Sequence, residues 1–220
     1  MDDSAMHESV AAIAACGISP IVRVPEGQHW MIKRALDAGA HGIIVPLLET
    51  VEDAQRIAKY SKFPPKGNRG LGGALAMEKF VSGKTGEVGE VSMADYYRDA
   101  NDATLVCVQI ETKSALEQVD AIAAVEGIDV LLVGPNDLGN QLGHPMVLNG
   151  GKISPALEEA IQKVNKAAHD AGKKSAIYMG SGEAAKEYAD SGFDMVNAIN
   201  DIVTLKTAAA DAIAVALGQR

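Results

Sequence analysis

Cysteine is nearly absent from this chain: only Cys16 and Cys107 occur, far apart and each inside an apolar stretch. Two such thiols exclude a disulfide framework and a cysteine-based zinc site, and both read as reduced core residues of a cytoplasmic protein. Aromatic residues make up only 4% of the sequence, so Ala, Gly, Ile and Val carry the apolar load, as in Ala-rich helices packed on β-branched strands. Positive charge is also scarce: 20 Lys and Arg stand against 29 Asp and Glu, a formal net charge of −9. KRALD and GKKSA are too short to form a basic stripe, which excludes a nucleic-acid backbone as the expected partner. No run approaches the ~18 uninterrupted apolar residues of a membrane span. The acidic start MDDSAMHESV lacks the apolar core of a targeting peptide. A cytoplasmic protein without membrane or nucleic-acid partners is expected.

What is present is enough for one sizeable core. Of the 220 residues 47% are hydrophobic, with a mean hydropathy of +0.03, and nothing divides residues 1–220 into two units. A single rhythm repeats along the chain. Strands are predicted over residues 19–24, 41–46, 105–111, 129–135, 175–179 and 194–199, each followed by at least one helix. An additional helix over residues 4–16 comes before the first of them. Gly39 reads as a helix C-cap, and Thr50 with Asp53 has capping-box spacing. Residues 61–92, with PPKGNRGLGG and SGKTGEVGE, are expected to be irregular.

Apolar strands alternating with helices imply a parallel sheet covered on both faces. Either an open doubly wound sheet or an eight-stranded barrel satisfies that pattern. The first strand-to-helix turn lacks the G-x-G-x-x-G of a dinucleotide fold, and Gly70, Gly72 and Gly73 follow a proline-rich turn rather than a strand. These glycines read as a flexible loop. The barrel is favoured because polar residues gather at strand ends: Arg23 after SPIV, Gln109 and Glu111 closing LVCVQIE, Asn136 and Asp137 after LLVGP. In a barrel such positions face one mouth.

Glu111 and Asp137, with no Cys or His pair nearby, describe an oxygen-ligand site suited to Mg²⁺, with Mn²⁺ or Co²⁺ as substitutes. Arg23 supplies a planar fork for a carboxylate or a developing enolate. A metal chelated by a 2-oxo acid, with an arginine on the oxo oxygen, is the Lewis-acid strategy of a metal-dependent aldolase. Each residue also has an ordinary role: Glu111 as a helix-cap partner, Asp137 in a P-N-D turn, Arg23 as an ion-pair partner of either acid.

The combination IVRVP, LDAGA before HGIIVP, LETVED, PPKGNRG, ANDAT, QIET and GPNDLGNQLGHP resembles the metal-dependent (class II) pyruvate aldolases of the HpcH/HpaI aldolase and citrate lyase family, the 4-hydroxy-2-oxoheptanedioate aldolase type. The resemblance runs from about residue 19 to the final helix. It implies a (β/α)8 TIM-type barrel, assembled into trimers or hexamers, that cleaves a 4-hydroxy-2-oxo acid to pyruvate and an aldehyde. It also implies that Glu111 and Asp137 bind the divalent metal and that Arg23 contacts the pyruvyl oxygen and stabilises its enolate. Gln109 faces the same pocket, and the amides around Pro135, Asn136 and Asp137 cradle the pyruvate carboxylate.

Two departures stand out. The family's D-x-E-H at the end of its second strand, whose histidine is the acid/base group, has no counterpart. The expected fold is therefore a single barrel domain over residues 1–220, N-terminally truncated and lacking its first two strands, with weak or no turnover until an upstream acid and histidine are restored. The family's V-x-D at the last strand end is here AIND, with Asn200 before the acid. None of His7, His29, His41, His144 and His169 closes a strand: His41 opens one, and His144 alone falls in a mouth-side loop. Lys173 and Lys174 fall on the opposite rim, which disfavours a Schiff base. Two alternatives stay open: a non-catalytic holder of metal and 2-oxo acid, and an acyl-CoA lyase of the citrate or malyl type.

Overall fold

Short-range signals set most of the element boundaries. In this computed structural model, which describes residues 2–77, 80–81, 88–89 and 91–219, α1 (Asp3–Ala15) precedes β1 (Ile21–Arg23), α2 (His29–Asp37), β2 (Gly42–Val45) and α3 (Val51–Ser61). Then come β3 (Phe80–Val81), β4 (Val88–Gly89), α4 (Met93–Ala103), β5 (Leu105–Ile110), α5 (Lys113–Glu117), α6 (Val119–Ala123) and β6 (Val130–Val133). The chain continues through α7 (Pro135–Gln141), α8 (Pro155–Asp170), β7 (Lys174–Tyr178), α9 (Gly182–Asp190), β8 (Met195–Asn197) and α10 (Asp201–Ala216). The expected capping box forms: the Asp53 N–H donates to Thr50 Oγ1 (3.1 Å) and the Thr50 N–H to Asp53 Oδ2 (2.9 Å). Gly39, at φ 97°, follows the end of α2 in a conformation glycine adopts at little cost.

Six strands form one parallel sheet in the order β1-β2-β5-β6-β7-β8, with β1 and β8 at its edges. Every pairing is parallel, so each connection crosses over through helix. The period of two along a strand sorts the side chains. Val106, Val108 and Ile110 of β5, with Leu131 and Val133 of β6, join the helices in the main core. Cys107, Val130, Leu132 and Ala176 form a smaller cluster on the opposite, inner face. Each fully buried aliphatic side chain stabilises by roughly 1.5–3 kcal/mol.

At the N-terminal ends of the strands, acids stitch neighbours together. Asp129 Oδ2 accepts from the Val106 N–H at 2.8 Å, and Asp194 Oδ2 from the Ser175 N–H at 3.0 Å. The buried Lys62 ammonium donates to the Asn101 and Thr104 carbonyls at 2.8 and 2.7 Å and lies 3.5 Å from Asp129. Burial pushes its pKa below the usual lysine value, against the pull of Asp129.

Four expectations need correction. Cys16 is exposed at the C-cap of α1, although Cys107 is buried as expected. The segment over 61–92 is not wholly irregular: β3 and β4 pair antiparallel within it, while residues 78–79, 82–87 and 90 of that segment lie outside those described. The helix expected after β5 divides into α5 and α6 at Gln118, whose ψ of 14° departs from helical geometry. The residues read as a P-N-D turn begin α7 instead, because Pro135 at its first position has a preset φ and needs no N–H there.

Candidate active site

The inner face of β5 carries Cys107, Gln109 and, one residue past the strand, Glu111, spaced by the strand's period of two. Glu111 is 1% exposed and Gln109 7%. A buried carboxylate of this kind needs donors, and it has one for each oxygen. The Leu47 N–H donates to Oε1 at 2.9 Å and Gln109 Nε2 to Oε2 at 2.8 Å. Gln109 Oε1 in turn accepts from Arg23 Nε at 2.7 Å. The chain of bonds has one direction, from guanidinium through amide to carboxylate, and it fixes the amide's orientation. Because Arg23 uses Nε here, its two terminal nitrogens are without hydrogen bonds to the described residues.

Burial pushes the Glu111 carboxyl above the ordinary glutamate value. The Leu47 N–H pulls it back, the Asp137 charge raises it further, Arg23 opposes, and burial prevails. Gly134 makes room for this arrangement: a Cβ there would sit 2.2 Å from Glu111 Oε2 and 3.2 Å from Gln109 Nε2. Glycine here admits the carboxylate itself.

Asp137 lies in the first turn of α7, exposed, with no hydrogen bond or ion pair to the described residues. Arg23, Gln109, Glu111, Pro135, Asn136 and Asp137 all line one cavity of about 500 Å³ at the C-terminal ends of the strands. The structure thus brings together the six residues assigned to the site from the sequence. It adds Tyr178 and Asn197, register partners at the ends of β7 and β8 that line the same cavity. An alternation count along those strands places both on the inner face. Leu47 had no signal at all, since leucine gives no hint that its peptide will face an acid.

The donor set is two carboxylates and neighbouring amide oxygens, hard ligands that suit a divalent cation needing water or substrate for the rest of its shell. Among the described residues no group of three or more His, Cys, Asp or Glu is placed to hold a metal by itself. None of the five histidines lines the cavity. His169 instead meets Asp194 at 2.8 Å, while Lys173 donates to the Val125 and Ile128 carbonyls and Lys174 to Asp194, all at the other end of the strands.

Comparison with known proteins agrees with this geometry. The family model described as HpcH/HpaI aldolase/citrate lyase matches residues 3–209. The chain belongs to that family. A 5-keto-4-deoxy-D-glucarate aldolase of Shigella sonnei is 34% identical over 207 residues, 94% of this chain and 75% of the relative. A hydroxypyruvate/pyruvate aldolase of Roseobacter denitrificans is 33% identical over 204 residues, 93% of this chain and 75% of the relative. The crystal structure of a family member from Burkholderia cenocepacia superposes with a TM-score of 0.81 at 33% identity, covering 96% of this chain and 79% of the other. Membership in the HpcH/HpaI family makes this chain a carbon–carbon lyase, and the six-stranded sheet is an arc of the family's barrel-like fold.

Proposed function

We propose that the chain carries out metal-dependent retro-aldol cleavage of a 4-hydroxy-2-oxo acid to pyruvate and an aldehyde. The observation that carries this reading is the directed chain Arg23–Gln109–Glu111, with Asp137 beside it, at the mouth of one cavity. Glu111 and Asp137 would hold Mg²⁺, or Mn²⁺ or Co²⁺ in its place. Such an ion supplies Lewis acidity toward the oxo and carboxylate oxygens of the substrate. Arg23 directs its unused terminal nitrogens at the oxo oxygen, where negative charge accumulates as the carbon–carbon bond breaks. Gln109 keeps that guanidinium in place. The N–H groups of Asn136 and Asp137, in the first turn of α7 after Pro135, receive the substrate carboxylate. The aldehyde portion extends toward Tyr178 and Asn197.

β1 and β8 are the edges of a six-stranded sheet, two strands short of an eight-stranded closure. We infer that the first two barrel strands are the ones this sheet lacks. The chain is also expected to form trimers or hexamers: α10 buries none of its residues, and Ile202, Leu205 and Ile213 on it are exposed.

A second reading, a non-catalytic holder of metal and 2-oxo acid, is favoured by one observation: no imidazole lines the cavity to take the proton of the 4-hydroxyl. An acyl-CoA lyase is disfavoured, because Arg23 is the sole basic residue lining the cavity among the described residues. Pyruvate release from 4-hydroxy-2-oxo acids, coupled to lactate dehydrogenase with and without Mg²⁺, separates these readings. Metal-dependent release that is lost in Arg23→Met supports the lyase. Metal and pyruvate binding without release supports the holder, and no binding of either eliminates both.

A further inference from the structure

Among the described residues Leu47 is the one non-glycine residue with a positive φ, 54°. A left-handed backbone crowds the leucine Cβ against the following carbonyl oxygen. Burial of the side chain is not the reason for it, because Leu47 is 57% exposed. Such a conformation persists only where the surroundings over-determine it.

The surroundings are bonds to the backbone that follows. The Leu48 carbonyl accepts from Thr112 Oγ1 at 2.9 Å, and the Glu49 carbonyl from Ser114 Oγ at 2.7 Å and Gln118 Nε2 at 3.2 Å. The Glu49 and Thr50 amides both donate to Asp53 Oδ2, at 3.1 and 2.9 Å. Residues 48–50 are therefore held from two sides, by α3 and by α5 with its N-cap Thr112, the residue after Glu111. The strained peptide they hold delivers its N–H to Glu111 Oε1 at 2.9 Å.

We propose that Leu47 is a positioning residue for Glu111: its left-handed peptide, clamped by Thr112 and Ser114, fixes the carboxylate in the orientation that presents it to the cavity beside Asp137. The proposal rests on the reading of Glu111 as a metal ligand. The backbone acts here and not the leucine side chain, so the two are separable.

Replacing Leu47 by its α-hydroxy analogue exchanges the N–H for an ester oxygen and keeps the side chain. Mn²⁺ affinity, read from the EPR signal of the free ion, is expected to fall by about ten-fold or more in that variant, and to stay within about two-fold of the parent in Leu47→Gly, which keeps the donor. Thr112→Val, which removes the clamp on the Leu48 carbonyl, is expected to weaken binding in the same direction, and Thr112→Ser to restore it. A merely structural role would lower thermal stability without this division in metal affinity. Parental affinity in a folded ester variant or in Thr112→Val overturns the proposal, as does loss of binding in Leu47→Gly. A parent chain that binds no Mn²⁺ overturns the ligand reading of Glu111 itself, and the positioning role with it.

Discussion

The two ends of the sheet use acids in opposite ways. At the N-terminal ends Asp194 accepts from Lys174 at 2.7 Å, from His169 at 2.8 Å and from the Ser175 amide at 3.0 Å. Burial raises its pKa, but those three donors outweigh it and hold the carboxyl well below the usual aspartate range. At the mouth Glu111 has one neutral donor per oxygen, with the guanidinium one amide removed, and burial leaves its pKa raised. Asp137 has no partner among the described residues. Acids satisfied by fixed donors contribute stability, whereas under-compensated acids that share a cavity retain affinity for a cation. This is the division between the two faces expected of a β/α barrel.

The sharpest way to break the comparison is Glu111→Gln. Mg²⁺ or Mn²⁺ binding, measured by calorimetry, is expected to be abolished, and unchanged affinity would remove Glu111 from the site. Because the fold favours the neutral form of this carboxyl, its contribution to stability is present at low pH and lost as pH rises through its raised native value. At neutral pH the charge is therefore a cost, so the thermal stability of Glu111→Gln is expected to change by only about 1 kcal/mol, one hydrogen bond being lost in exchange.

Gly134→Ala comes next in size. A methyl 2.2 Å from Glu111 Oε2 forces the carboxylate off its Gln109 donor, and metal affinity is expected to fall by about ten-fold. Equal affinity in a folded variant would show that Glu111 has room the structure does not show.

A smaller effect is the pH dependence of binding. Protons compete with the cation at Glu111, and its raised pKa shifts that competition above the ordinary value of 4.5. A titration of Mn²⁺ affinity is expected to start falling at a pH above that value. A profile that stays flat down to it contradicts the burial argument.

Smallest is Asp194→Asn at the other end, which is expected to cost ~1–2 kcal/mol at neutral pH with no change in metal affinity. The native pKa of Asp194 is depressed, so its stabilisation is present above the ordinary value of 3.8 and is lost as pH falls through the lower native one. Chemical denaturation of parent and variant is expected to converge in acid. A variant that lost metal instead of stability would erase the distinction between the two ends.

Much of this was legible in the chain. Period-two alternation in LVCVQIE places Gln109 and Glu111 on one face, and the apolar runs before Arg23 and Asp137 end at the same rim, so these cavity residues are legible in the sequence, unlike Tyr178 and Asn197. The capping box at Thr50 and Asp53 and the stop at Gly39 are local chemistry, legible from a few neighbouring residues. Cys16 misled because an apolar neighbourhood in sequence does not say which side of a helix end meets solvent. Residues 135–141 misled because P-N-D begins a turn and a helix equally well.

The sequence by itself determined the strand and helix order, the parallel sheet and the set of polar residues at the strand ends, because each depends on periodicity and on residue types a few positions apart. Tertiary structure alone decided that Arg23 reaches Glu111 through Gln109, that Gly134 opens space for the Glu111 carboxylate, and that a leucine peptide is held left-handed to face it. Those facts depend on distances between strands far apart in the chain, and no local pattern of residues encodes a distance.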